Sequence, residues 1–441
     1  MSPRNRFPSP SRQFVIALAM LTLVSTASAE WKEKVLYSFQ GGTNDGPVPA
    51  GGVVFDKQGN LYGATTDGGM VYQLAPPAEQ GNPWTETVLY TFKGKQYNDG
   101  DLPNGGLLID SQGNLYGVTA YGGSGDCVLL GTNVGCGTVY ELSPPQQKGD
   151  PWTETILYSF PTAKQGYLPN GDLVFDGDGN LYGATEFGGG KGTTCDPFYQ
   201  YCGAVFELSP PKAKGGKWTE KVLHAFASGT DGANPNGGLV LDSKGAIYGT
   251  TYGGGNESRE CGSGGCGTAF ELKPPTKKGG AWVEKQLHVF AAGNDGGDPA
   301  GNLIFDAKGS LYGAAQGGSS SGGGIVYRLT ADGGGWKKTV LHWFSSGPLA
   351  GLLFDSVGNL YGTTADGGGE GGGTVFRLRP PTGKPRAWTL DLLYSFTRSP
   401  DGAYPDAQLI FGNGDLYGTT EEGGTGQSCQ GGCGTVFEVS P

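Results

Sequence analysis

The chain has 441 residues, 85 of them Gly and 28 Pro, with 30 basic against 41 acidic side chains. Gly and Pro at about a quarter of a chain mean low complexity when they lack a period; aromatics at 11% and charged residues at 16% exclude a solvated coil and require a buried core. The acidic excess sets nucleic acid and anionic membrane aside as partners, because both repel a negatively charged surface.

In chain order, the first 29 residues read as a signal peptide. Arg4, Arg6 and Arg12 give a basic start, Phe14 to Val24 is apolar apart from one Thr, and Ala27-Ser28-Ala29 is an A-x-A cleavage site. The apolar run is too short to span a bilayer comfortably. Residues 30–441 are then the mature chain, with 27 basic and 41 acidic residues and a net charge of −14. A secreted product is expected, extracellular or periplasmic, with no membrane insertion once the signal is removed.

The mature chain repeats. Seven of its eight Trp head the same phrase, from WKEKVLYSF at Trp31 to WTLDLLYSF at Trp388, at intervals of 53, 68, 66, 64, 54 and 52 residues. Phrases resembling GGLVFD, GNLYGTT and GTVFELSPP lie between them. Each is short, rich in β-branched and aromatic residues, and bounded by turn residues, which is a strand signal. The first two are linked by D-x-x-G-N, as in Asp56–Asn60, Asp110–Asn114 and Asp176–Asn180. There Asp can accept from backbone amides ahead of it and Gly supplies a positive φ, so these Asp are read as structural.

Four strands in each of seven repeats predict an all-β fold, a seven-bladed β-propeller of four-stranded antiparallel blades forming a single domain over 30–441. GGLVFD is the innermost strand and the Trp phrase the outermost. The chain opens with a lone Trp phrase and ends on a third strand. Trp31–Phe39 is therefore predicted to complete the last blade beside Gly434–Val439, covering an edge that would otherwise stay open. The glycine tract Gly367–Gly373 joins two strands and carries no following Lys or helix, so it is a loop and not a phosphate cradle.

The run GNLYGTT, a Gly-rich gap and GTVFEL resembles the tandem repeat family GloVer, whose members are named choice-of-anchor tandem repeat GloVer-containing proteins. The run recurs at Gly59–Thr65, Gly113–Thr119, Gly179–Thr185, Gly245–Thr251, Gly309–Ala315, Gly358–Thr364 and Gly414–Thr420. The resemblance implies a secreted bacterial protein with a propeller fold and implies no reaction. Many members carry a C-terminal sorting or anchoring segment; this sequence stops at Pro441, so release is expected rather than anchoring.

Eight Cys fall into four close pairs, Cys127/Cys136, Cys195/Cys202, Cys261/Cys266 and Cys429/Cys433, each in a loop between second and third strands. Even, locally paired Cys in a secreted chain predict disulfides that staple the long loops. Zinc is the alternative, but the spacings differ between repeats and no His is near, so no metal site is assigned.

The three His, His224, His288 and His342, occupy the slot of Tyr37, Tyr90, Tyr158 and Tyr394 on the outermost strand. A shared slot points to packing and not to a general base. Ligand contacts are expected on the face formed by the loops between strands two and three and between blades. There the residue before each Gly-Gly pair is Asp67, Tyr121, Phe187, Tyr252, Gln316, Asp366 or Glu422, with Glu186 and Glu421 adjacent. Aromatic faces stack on sugars and carboxylates accept their hydroxyls; the plainer reading is that these rings plug the axis. Asp45, Asp99, Asp231, Asp295 and Asp401 each precede Gly and read first as turn residues. Calcium is the one cofactor they leave open, without a D-x-D-x-D-G loop to support it.

With no catalytic residue assigned, the leading expectation is a monomeric, secreted, non-enzymatic propeller that recognises a glycan or an extracellular protein. The alternative is a carbohydrate-active lyase or hydrolase using carboxylates such as Asp67, Asp366, Glu421 and Glu422 on the axial face.

Overall fold

The computed structural model describes residues 30–42, 45–79, 81–190, 202–213, 215–255, 261, 264–317, 323–383 and 387–441. The expected signal peptide, residues 1–29, lies outside them. From Trp31 onward the chain forms seven small antiparallel sheets arranged as a seven-bladed β-propeller. In blade three, Tyr167–Phe175 is innermost, followed outward by Leu181–Phe187, Ala204–Ser209 and Thr219–Ala225. The order of phrases along the sequence is thus the order of strands from axis to rim.

The seventh blade closes as predicted. Lys32–Ser38 pairs antiparallel with Thr435–Ser440, Lys32 opposite Ser440 and Ser38 opposite Thr435. First and last strands of the ring share one sheet, so no rim of the final blade is left unfilled.

The repeated phrases are explained by what they do between blades. The Tyr of GNLYG meets the Phe of the next blade's innermost strand edge-on: Tyr116 with Phe175, Tyr248 with Phe305, Tyr312 with Phe354 and Tyr361 with Phe411, their ring centres 4.9–5.2 Å apart. Tyr417 on Phe55 repeats the contact across the closing junction, at 5.0 Å. The Trp of the outermost strand leans on the same Tyr of the preceding blade, as Trp282 does on Tyr182 and Trp336 on Tyr248. Edge-to-face contacts of this kind add to the burial of the rings. The same Tyr hydroxyl donates to the turn Asp: Tyr62 reaches Asp56 at 3.0 Å, while Asp56 also accepts from the amides of Gln58 and Asn60 and from the Asn60 side chain. These hydrogen bonds pull Asp56 below the usual carboxylate range against the effect of burial.

Three of the expected disulfides are formed: Cys127–Cys136, Cys261–Cys266 and Cys429–Cys433. Of the fourth pair, Cys195 lies outside the described residues. The second Cys has a further role. The carbonyls of Cys202, Cys266 and Cys433 accept the amides of Asn234, Asp298 and Val48 from the next blade. Each of these donor residues immediately precedes a Pro and has a positive φ, of 55°, 52° and 59° in turn. That Pro then packs on the Gly after the Cys. The disulfide therefore holds the strand end that stitches one blade to the next.

Candidate functional site

Each second strand pairs with its third strand up to the same register. Thr65, Thr119, Thr185, Thr251, Ala315, Thr364 and Thr420 all stand opposite the first residue of their third strand. Buried hydroxyls then set the course of the chain beyond the strand. Thr119, Thr251, Thr364 and Thr420 donate at 2.7–2.9 Å to the carbonyl two residues on. The nine sequence-predicted site residues are split by the alternation of side chains along a strand. The residue after the register position is Glu186, Tyr252, Gln316 or Glu421 in four blades; the one after that is Asp67, Tyr121, Phe187, Asp366 or Glu422 in the other set.

The nine residues do not converge on one site. Gln316 lines a cavity on the propeller axis, and Glu186, Tyr252 and Glu421 hold the same register in their own blades. In the second set Phe187 is buried in the core between blades two and three, and Tyr121 packs against that core with its ring 6.2 Å from Tyr167. Asp67 and Asp366 are exposed. Glu422 faces Arg398 at 3.7 Å. The seven residues before Gly-Gly do not form one ring, because blades four and five reach Gly-Gly one residue sooner than the others.

The axial cavity has a volume of about 430 Å³ and takes walls from all seven innermost strands, with Gly51, Gly105, Gly171, Gly237, Gly301, Ala350 and Ala407 at one level. Small residues are needed where seven backbones converge: a side chain on Gly105 would lie 2.7 Å from the Gly171 carbonyl oxygen, and Gly105 has a φ of 109°. One residue further, the pattern alternates. Asp172, Asn302 and Gln408 replace Gly and meet across the axis. The Asn302 side-chain amide donates to Asp172 at 2.6 Å and to Gln408 at 3.0 Å. Asp172 also accepts from the Gly106 amide at 2.7 Å, Asn302 accepts from the Gly238 amide, and Gln408 donates to the Leu352 carbonyl at 2.8 Å. This belt ties blades two to seven, and Thr419 bonding the Gly51 carbonyl at 2.9 Å adds blade one.

At the cavity wall of blade seven stands Asp406, which sequence reasoning missed. Its carboxyl is pushed up to about 8 by burial, then by the Glu421 charge and a hydrogen bond to the Glu421 carboxyl. Glu421 is held from behind, its amide donating to the Tyr404 carbonyl at 3.1 Å. Burial and the neighbouring Glu421 charge both favour the protonated form of Asp406. Other repeats carry Ala, Asn or Leu at the Asp406 slot (Ala50, Asn170, Leu349), so comparing repeats at the residue after Pro would have exposed it. Glu421 itself lines a second pocket of about 380 Å³ between blades seven and one, together with Asp67, Glu422 and Cys429. Tyr252 of blade four is 40% exposed, and burial followed by the charges of Asp298 and Glu186 raises its hydroxyl above the ordinary value.

Two of the three His and their loop Asp residues lie elsewhere and are bonded to one another. His224 meets Asp231 at 3.1 Å and His288 meets Asp295 at 2.9 Å; Tyr90 and Tyr394 donate to Asp99 and Asp401 at 2.9 Å. The packing role expected of the slot is met: His224, His288 and His342 each stand edge-on to the Phe two residues on, with ring centres 4.8 Å apart, and the Tyr of other blades do the same; the Asp bonds are added to that packing. Among the described residues no group of three or more His, Cys, Asp or Glu has the geometry to hold a metal ion.

Residues 22–260 and 127–348 match the family model described as the Gloeobacter/Verrucomicrobia repeat. No curated protein matches the chain. Among solved structures, the chain is similar to selenomethionine-substituted virginiamycin B lyase from Staphylococcus aureus, with 13% identity over 93% of this chain and 100% of that one and a TM-score of 0.52. A PQQ-bound aldose sugar dehydrogenase from Streptomyces coelicolor shares 16% identity over 93% and 98%, with a TM-score of 0.46. At these identities the likeness is one of fold.

Proposed function

We propose that this chain, which belongs to the Gloeobacter/Verrucomicrobia repeat family, is a secreted, non-enzymatic propeller that recognises an extracellular glycan at its axial cavity. The observation that carries the reading is the lining. A cavity of about 430 Å³ is within the range of small-ligand sites. Its wall alternates bare glycine backbone with Asn, Asp and Gln side chains, which donate to and accept from hydroxyls. Asp406 on the same wall supplies a further polar group, its carboxyl held toward the protonated form by burial and the Glu421 charge. The disulfides and the absence, among the described residues, of a helix long and apolar enough to cross a membrane are consistent with secretion.

Glycan-array binding tests the reading. Gln316→Trp narrows the mouth at a position where blade four already carries Tyr252, so the fold tolerates it. Binding is expected to fall at least tenfold in Gln316→Trp and to be unchanged in Trp343→Ala, a substitution on the rim. Equal binding by wild type and Gln316→Trp overturns the axial site.

The carboxylate-enzyme alternative keeps one observation, that Asp67, Glu421 and Glu422 share a pocket. Against it, Glu421 is hydrogen-bonded to Asp406, closer than the roughly 5 Å or more that separates the two carboxyls of glycoside hydrolases. Release of reducing ends from a glycan that binds, lost in Glu421→Gln, would favour it.

A further inference from the structure

The seven junctions between blades carry a second pattern, away from the axis. The outermost-strand phrase reads Trp-x-Glu in five copies, giving Glu33, Glu86, Glu154, Glu220 and Glu284. Each of these side chains is turned to the preceding blade and sits beside that blade's Tyr or His slot. Glu33, Glu154, Glu220 and Glu284 each bury one carboxyl oxygen that has no hydrogen-bond partner. A buried, unpartnered carboxylate oxygen is costly, whereas a carboxylic acid is not charged and carries a hydrogen to share.

The neighbours of these glutamates are mostly acids and phenols. Glu33 faces Asp401 and Tyr394; Glu86 faces Asp45, Tyr37 and Tyr72; Glu154 faces Asp99, Tyr90 and Tyr140, with Lys93 as the one base. Glu220 faces Tyr158, whose hydroxyl lies 3.4 Å away, and Glu284 faces Asp231 and His224. At four of the five junctions, two carboxyls from adjacent blades are thus brought together.

The two remaining junctions show what the arrangement costs. At one, Lys338 replaces Glu and makes the ion pair that the others lack, 2.6 Å from Asp295, with its ammonium 5.1 Å from the Phe290 ring centre. At the other, Leu390 replaces Glu, and the loop partner is also missing: Ser345-Ser346-Gly347 stands where Asp would be, leaving His342 in the slot.

We propose that the five junction glutamates form a ring of proton-bearing contacts that tightens the propeller in mildly acidic surroundings and loosens it as the pH rises through neutrality. Burial first, and in four of the five a neighbouring Asp, pushes Glu33 up to about 8, Glu86, Glu154 and Glu220 to about 7 and Glu284 to about 6, from 4.5. Between 4.5 and those values the folded chain binds more protons than the unfolded one, so stability falls as pH rises through that window.

The test is the thermal midpoint of the full chain from about pH 5 to about pH 8.5, a range that brackets the titration of these groups, for wild type, for the variant with all five Glu→Gln, and for single Glu154→Gln. Gln keeps the shape and the hydrogen and cannot ionise. The wild-type midpoint is expected to fall by more than about 3 °C across the range. The fivefold variant should fall by less than half as much, and Glu154→Gln by an intermediate amount; should the fivefold variant not fold, the single variant decides. Asp406→Asn, run in parallel, removes the axial carboxyl from the comparison. A wild-type midpoint that stays level, or the same slope in wild type and the Glu→Gln variants, overturns the proposal.

Discussion

Gly137 has a φ of 93°, and a side chain there would stand 2.4 Å from the Thr119 carbonyl oxygen and 2.5 Å from Pro169 Cδ of the next blade. The same contact recurs where Gly203, Gly267, Gly373 and Gly434 meet Pro235, Pro299, Pro405 and Pro49. The glycine after the Cys slot is therefore required twice, by backbone conformation and by the closeness of the neighbouring blade. Gly137→Ala should destabilise the fold by roughly 2 kcal/mol or more, since neither neighbour is a flexible side-chain end, and urea unfolding would measure it. Asp406 makes a different demand. Burial and the Glu421 charge push its carboxyl up to about 8, and as it ionises the axial wall exchanges a hydrogen-bond donor for a negative charge. Glycan affinity in the wild type is expected to weaken between about pH 7 and about pH 9, a unit either side of that value, and Asp406→Asn should remove that dependence. A pH-independent wild type would detach the pair from binding.

At the scale of strands and loops, the repeated phrases made most of the architecture legible. Strand order, the Asp-bearing turns and the partner of Trp31–Phe39 follow from residue types that admit few alternatives. What was hidden is register. Counting back from Gly-Gly placed Tyr252 and Gln316 with Tyr121 and Phe187, although the loops of blades four and five are a residue shorter at that point. Counting forward from the buried Thr pair, such as Thr251 with Thr268 at 2.9 Å, would have put each side chain on its proper face. The pairing of distant carboxyls, Asp406 with Glu421, is not periodic and leaves no such trace. The disulfide loops give a prediction of their own. Removing a crosslink frees the unfolded chain, so Cys127→Ser/Cys136→Ser should cost about 2.7 kcal/mol and Cys429→Ser/Cys433→Ser about 2 kcal/mol, the longer loop more. Denaturant unfolding of the two double variants would show that order.

In the whole molecule, the proposed axial site depends on closure. The axial cavity has walls only because seven blades return to their starting point, and the hydrogen-bonded belt of Asp172, Asn302 and Gln408 spans blades far apart in sequence. The N-terminal strand is the piece that completes the circle, with Lys34 opposite Glu438. Zero-length carbodiimide coupling followed by mass spectrometry of the monomer reads that contact directly, since it joins an amine to a carboxyl only where they touch. The closed ring predicts a Lys34–Glu438 link within single chains. Its absence there, or its appearance solely between two chains, would contradict the ring and, with it, the axial site.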